Sequence, residues 1–470
     1  MHQPKYIHWF RRDLRLSDNP AYYEACQRGD VLPVYIIDTD EPDDVALGRA
    51  NLVWLHHSLA SLNKSLQGHL HIQRGSVMQV LQNLVARFDI TGIYWNRCYD
   101  GYSRMRDQHI KESFAHLDIK SFNGSLLWEP WAIKKSDGTA YRVFTPFYRR
   151  GCMSAPPPRM PLPEPQATWI SAPQGLSVDD CGFLPSLPWA ADMMIHWQAG
   201  EAAAWQVCEE FIEHGLASYK IGRDFPAKPY VSRLSPYLQS GEISPNQVWA
   251  AVRSAAAHDQ VDHFCSELGW REFSYSQLFE NPDIAMVNIQ KKFDQFQWSN
   301  QQVKLEAWKK GLTGVPMVDA GMRQLYQTGY MHNRVRMIVG SFLVKNLLCD
   351  WRHGERWFWD CLVDADHASN RASWQWVAGC GADAAPYFRI FNPVTQGMKF
   401  DPEGDYIKKY IPELSRVPVR YIHAPWEAPS TILQQRGCIL GQHYPRPIVN
   451  LKESRQEALD AFKALKGKEA

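Results

Sequence analysis

Four short apolar runs separated by amphipathic stretches fill the first 130 residues, and this alternation restricts the fold more than any other feature of the chain. Tyr6 to Phe10, Val31 to Ile37, His69 to Ile72 and Ile90 to Trp95 read as strands. Pro20 to Arg28, Gly48 to Leu66 and Val77 to Phe88 read as helices between them. Strand and helix in strict turn give a parallel sheet with helical crossovers, so residues 1–130 are expected to form a nucleotide-binding-like α/β domain. The segment has neither a GxGxxG turn nor a P-loop, which argues against dinucleotide and nucleoside-triphosphate sites of those types.

Residues 131–199 read as an interdomain linker, with Pro156, Pro157, Pro158, Pro161, Pro163 and Pro165 and no clear periodicity. From 200 to 470 apolar residues recur at three- and four-residue spacing, the mark of an all-α domain. No apolar run reaches the length of a membrane span. The opening MHQPKYIHWFRRDLRL meets charged residues too early for a secretory signal. Ten scattered cysteines without a CxxC pair suit reduced thiols in a cytosol and argue against a zinc ribbon. His56 and His57 are adjacent and point apart, so no metal site is expected. With a net charge of only +1, any nucleic-acid binding must rest on a local basic patch.

The chemistry concentrates in Val363 to Pro393, VDADHASNRASWQWVAGCGADAAPYFRIFNP. Two carboxylates (Asp364, Asp366), an amide (Asn370) and two indoles (Trp374, Trp376) stand close together there. A plain core segment would not keep the carboxylates, because a buried charge without a partner is costly. The set suits a large, flat, polar-edged ligand. Glu267, Trp270 and Arg271 share one helix face, and Asn333 and Met337 share another. Tyr219 to Leu238, YKIGRDFPAKPYVSRLSPYL, could offer the hydroxyls of Ser232 and Ser235 and main-chain N–H groups to a phosphate, although serines at a helix start are more often caps. Trp298, Trp351 and Trp374 are packing residues on the plain reading. The chain's 19 tryptophans are nevertheless more than packing alone usually asks for.

Seven motifs in order resemble the photolyase/cryptochrome flavoproteins over nearly the whole chain. They are WFRRDLRLSDNPA (Trp9 to Ala21), YRVFTPFYRR (Tyr141 to Arg150), SRLSPYL (Ser232 to Leu238), ELGWREF (Glu267 to Phe273), MHNRVRMI (Met331 to Ile338), the segment from Val363, and FDPEGDYIKKYIPEL (Phe400 to Leu414). The bacterial class I enzymes for cyclobutane pyrimidine dimers are the nearest expected kin. The resemblance implies FAD bound in the helical domain. Tyr219, Val231, Ser232, Arg233, Leu234 and Ser235 would hold the diphosphate, Val231 through its main chain. Asp364, Ala365 and Asp366 would face the flavin and its ribityl chain, Arg336 would pair with Asp364, and Asn370 would lie beside flavin N5, favouring the reduced anionic ring.

The implied function is light-driven repair of UV-damaged DNA by electron transfer to a flipped-out dimer. Glu267, Asn333, Met337, Trp270 and Trp376 would meet the dimer. Arg223, Arg271 and Arg334 would join Glu267, Trp270, Asn333 and Trp376 in the DNA interface. Trp374, Trp351 and Trp298 would carry electrons from the flavin outward. An antenna chromophore, methenyltetrahydrofolate ahead of a deazaflavin, would sit near Asn96 and Asp100 of the α/β domain. A monomer in a bacterial cytosol is expected; a cryptochrome-like photoreceptor and a (6–4) photolyase are the alternatives. Two departures stand out. Tyr230 and Val231 replace a commoner Gly-Thr, and VDADHASNR replaces VDGDLAANN, with His367 reading as a surface or supporting substitution and Arg371 as a new charge.

Overall fold

A parallel sheet covered on both faces needs apolar side chains on both, which is why its inner strands read as nearly unbroken apolar runs. The computed structural model describes residues 3–172, 175–255, 259–384 and 388–466. Strands β1 (Lys5–Phe10), β2 (Asp30–Asp38), β3 (His71–Gly75), β4 (Gly92–Asn96) and β5 (Asp118–Phe122) form one sheet in the order β3-β2-β1-β4-β5, every pair parallel. Helices α1 (Pro20–Arg28), α2 (Arg49–Ser65), α3 (Val77–Phe88) and α4 (Gly101–Ser113) complete the α/β fold expected from sequence. In β1, Ile7 and Trp9 face one core with Val34, Leu81, Ile93 and Trp95. Tyr6 and Phe10 face the other, with Tyr22, Leu55 and Leu59. Strand β5 was not expected. Its sequence DIKSF is only half-buried and carries Asp118 and Lys120 at a sheet edge, so no apolar run announces it.

Packing gathers the chain into two compact units. The first comprises Met1–Ala217, Ser232–Pro282 and Val363–Ala368; the second comprises Ser218–Val231, Asp283–Leu362 and Ser369–Ala470. Residues 131–199, read as a linker, fall entirely within the first unit. That unit also contains the long helix Asp259–Glu280. The second is built around Pro316–Thr328, Asn333–Ser341, Trp351–Cys361 and Ser369–Ala378. Local rules set their ends. Pro316 opens one helix and Gly329, at φ +65°, closes it. Asp350 caps another by accepting Arg352 N–H at 2.9 Å. No helix among the described residues is long and apolar enough to cross a membrane.

Glu242 is a fully buried carboxylate that ties together distant parts of the first unit. It accepts from Trp54 Nε1 at 3.1 Å, Gly200 N at 2.6 Å and Ser240 Oγ at 3.0 Å. Burial nevertheless pushes its pKa up to about 7. The folded chain therefore holds a proton that the unfolded chain releases above its ordinary value near ~4.3. The corresponding stability is fully present below that value and is lost as pH rises through about 7. In denaturant melts, the stability of the wild type relative to Glu242→Gln is expected to fall by on the order of 3 kcal/mol across that window. A pH-independent difference would contradict this assignment.

Candidate functional site

The turn Val363–Ala368 belongs to the first unit, and its two aspartates are held by hydroxyl groups. Ser235 Oγ donates to Asp364 Oδ2 at 2.6 Å, and Tyr275 OH donates to Asp366 Oδ2 at 2.5 Å. Ala368 N–H adds a bond to Asp366 Oδ1 at 3.0 Å, and the Ala365 carbonyl accepts from Asn51 Nδ2 at 3.0 Å. Burial and then the Asp366 charge raise the Tyr275 pKa far above that of a free phenol, so its proton stays and donates. Both aspartates are buried, at 8% and 7% exposure. A carboxylate has about four lone-pair sites, which suits it to accept from the hydroxyls and N–H groups of a polar ligand. His367, read as a surface or supporting substitution, is buried at 1% exposure, which removes the surface alternative and leaves the supporting one.

The neighbouring phosphate-loop candidates are less uniform. Leu234 is buried and Ser235 exposed, while Ser232 Oγ reaches Leu234 N–H only at 3.4 Å. Arg233 adopts φ +54°, and its guanidinium lies 4.0 Å from the Trp197 ring centre. In the same unit, Trp270 is half-buried and stacks face to face on Phe144, 3.8 Å between ring centres and 11° apart. Glu267, also half-buried, precedes Trp270 by three residues on the helix Asp259–Glu280. Gly269 allows the helix to approach the Tyr148 ring, which any side chain at that position would strike. Arg271 points elsewhere: Nη1 donates to the Ser125 carbonyl at 2.7 Å and lies 3.2 Å from Glu272.

In the second unit, Asn333 is exposed and Arg334, Arg336 and Met337 are half-buried, so one face of the helix Asn333–Ser341 is open as its spacing suggested. Arg334 pairs with Asp224 at 2.6 Å and lies over Phe400 at 4.5 Å, and Arg336 Nε donates to the Met331 carbonyl at 2.6 Å. Arg223 lies over the ring of buried Tyr219 at 5.5 Å. Tyr230, one of the two departures, covers Gly222, and Val231 beside it is half-buried. His332 caps this helix by accepting Arg334 N–H on Nδ1 at 3.2 Å. Burial and the surrounding arginines push its pKa down to about 4, so the ring is neutral with its hydrogen on Nε2.

Of the three indoles expected to carry electrons, all in this unit, Trp351 and Trp374 lie on helices and Trp298 on irregular chain. Trp374 is buried and packs edge-on to Phe358 at 4.9 Å and Trp308 at 6.2 Å. It also lies on Gly354, one turn beyond Trp351, because any Cβ there would overlap its ring. Trp351 is fully buried and donates to Asn288 Oδ1 at 2.9 Å, whereas Trp298 is half-exposed against Phe296 at 4.4 Å. Trp376, two residues from Trp374, is half-buried and donates to the Asp383 carbonyl at 3.1 Å. Residues 385–387, where the aromatic turn PYFRIFNP begins, lie outside the described residues. Asn370 donates its amide to Glu355, at 3.0 Å to Oε1 and 3.2 Å to the carbonyl.

The two antenna candidates part company. Asn96 Nδ2 is committed to Asp13 Oδ2 and Asn19 Oδ1, both at 2.6 Å, which makes Asn96 a knot of the sheet. Asp100 caps α4 by accepting Ser103 N–H at 2.8 Å through Oδ1, and its buried Oδ2 has no hydrogen-bond partner. Asp100 follows β4, and Arg12, whose charge acts on it, follows β1. The strand order reverses between these two strands, where open α/β sheets place their ligands. Sequence reasoning missed Tyr275, Phe144 and Glu355, each a partner of a residue that it singled out. Phe144 was signalled by its place inside a quoted motif, Tyr275 by lying two residues beyond one, and Glu355 as the lone acid of the aromatic-rich run WRHGERWFW.

Comparison with known proteins matches residues 6–166 to the DNA photolyase family and residues 264–464 to the FAD binding domain of DNA photolyase. A deoxyribodipyrimidine photo-lyase of Agrobacterium fabrum is 45% identical over 98% of this chain and 98% of its own. Cryptochrome-2 of Arabidopsis thaliana is 35% identical over 96% of this chain and 78% of its own. The crystal structure of a bacterial class III photolyase from Agrobacterium tumefaciens superposes with a TM-score of 0.95 at 44% identity, covering 99% of this chain and 98% of that one. The kinship expected with class I enzymes holds at the level of the family; the class in that structure's description is III.

Gly354→Ala is expected to displace the Trp374 indole and to destabilise the fold by about 1–3 kcal/mol through overpacking. A thermal melt together with the near-ultraviolet circular dichroism of the indoles checks this, and an unchanged variant would show that Trp374 does not need the glycine.

Proposed function

Because the chain belongs to the photolyase/cryptochrome family, we propose that it repairs cyclobutane pyrimidine dimers in DNA under blue light, with FAD as the electron donor. The observation that carries repair is Trp270. Phe144 backs one face of this indole, which leaves the other for a flat substrate, and Glu267 stands one turn away to bond the polar edge of the dimer. In the second unit, Asn333 and Met337 are on an open helix face as the same role requires, and half-buried Trp376 is assigned to the dimer as well. Reduced FAD supplies, on excitation, the electron that opens the cyclobutane ring and receives it back. Tyr219, Val231, Ser232, Arg233, Leu234 and Ser235 hold its diphosphate; Asp364, Ala365, Asp366 and Arg336 hold the ribityl and flavin portions.

The donor set fits such a group. Asn370 commits its NH₂ to Glu355, which leaves Oδ1 as the side-chain group that can accept from a ring N–H. Trp374, Trp351 and Trp298 relay electrons from solvent, and their burial supports that order, since only Trp298 is half-exposed. Asp100, with its unpartnered Oδ2, is the better candidate of the two for an antenna chromophore, a folate ahead of a deazaflavin. Ten free cysteines support a reducing compartment, the bacterial cytosol, and the enzyme acts as a monomer.

The test is repair under blue light by reduced protein, on oligonucleotides carrying either a cyclobutane dimer or a (6–4) lesion. Cyclobutane repair alone is expected. Repair of only the (6–4) lesion, or of neither by FAD-loaded protein, would overturn the reading, and the second result would favour a photoreceptor. Glu267→Ala is expected to keep FAD and to lower the repair yield, whereas full repair by that variant removes Glu267 from the site. Arg223 and Arg334 face DNA in this reading, whereas Arg271 is turned to the Ser125 carbonyl and Glu272, and Arg334 is held by Asp224 in the free protein. Asp224→Asn is expected to tighten binding to undamaged DNA and to steepen the slope of log K against log salt by up to about one unit, one phosphate contact. An unchanged slope would remove Arg334 from the phosphate contacts.

A further inference from the structure

Three buried polar groups meet where the helices Trp351–Cys361 and Ser369–Ala378 pack together. Asn370 Nδ2 lies 3.2 Å from the Glu355 main-chain carbonyl and 3.0 Å from Glu355 Oε1. A carbonyl only accepts, so the group facing it must be the amide NH₂, and Oδ1 points elsewhere. Arg371 Nε stands 3.8 Å from the same Glu355 oxygen, and its guanidinium lies 5.5 Å from the centre of the Trp359 ring. Glu355 is 7% exposed and Arg371 4%. The commoner form of this turn has asparagine where Arg371 stands, so the cation is a feature of this chain.

We propose that Glu355 and Arg371 act as a positioning pair that sets the reduction potential of the flavin through Asn370; this rests on the placement of Asn370 beside flavin N5 given above. Glu355 locks the amide so that Asn370 offers only an acceptor. An acceptor matches the reduced ring, which carries a hydrogen on N5, and opposes the oxidised ring, where N5 is itself a bare acceptor. The lock has a drawback, since it leaves a carboxylate near a ring that becomes anionic on reduction. In a poorly polarisable interior that repulsion extends over roughly 10 Å. Arg371 cancels it.

Charge and packing roles separate in a double-mutant cycle read by spectroelectrochemical titration of bound FAD. Arg371→Met removes the cation beside the carboxylate and is expected to lower the ratio of reduced to oxidised flavin about tenfold at fixed potential, about 30 mV for a two-electron couple. Glu355→Gln keeps an oxygen for the Asn370 amide but removes the negative charge, and is expected to shift the ratio the opposite way. The double variant is expected to return close to the wild type. Arg371→Gln replaces the methionine variant if that one does not fold. Shifts of the same sign in both single variants, or none with FAD retained, overturn the pair's role. A wild type that binds no FAD, or an Asn370→Ala variant with an unchanged potential, would instead refute the placement of the flavin.

Discussion

The hydrogen bond from Tyr275 to Asp366, with its counterpart from Ser235 to Asp364, fixes the turn on which the remaining roles depend. Two buried aspartates this close in sequence repel each other and lose hydration, and a flexible turn would relieve both strains by moving them to solvent. Hydroxyl donors on two other segments of the same unit, together with the Asn51 bond to the Ala365 carbonyl, remove that freedom. Within the second unit, the register of the helix that begins at Ser369 decides that Asn370 meets Glu355 while Trp374 packs on Gly354.

Much of this was readable because the sheet and the motifs each leave a strong local signature. The inner strands of a two-faced parallel sheet must be apolar, so β1 to β4 announce themselves; an edge strand such as Asp118–Phe122 need not be, and it does not. The singled-out residues Asp364, Asp366, Asn370 and Trp270 were visible as unusual types in apolar surroundings. Their partners were not, because Tyr275, Phe144 and Glu355 are ordinary residues made specific by contacts with segments remote in sequence. For His367 the sequence left a surface and a supporting role open, and tertiary packing, which buries it, removes the first. The proline-rich stretch also hid its contribution, since Phe144 and Tyr148 pack on the helix that carries Trp270.

Several arginines singled out from the sequence are compensated locally. Arg334 is held by Asp224, Arg371 by Glu355, and Arg271 by the Ser125 carbonyl and Glu272. A cation restrained in the free protein keeps its position at little further entropic cost when an anion arrives.

The most direct measurement is an action spectrum, the yield of restored pyrimidines in dimer-containing DNA against wavelength, taken with the reduced protein. The yield is expected to follow the absorption of the bound chromophores and to vanish in the dark. Repair that proceeds without light, or light that excites bound FAD and leaves every dimer intact, would contradict it.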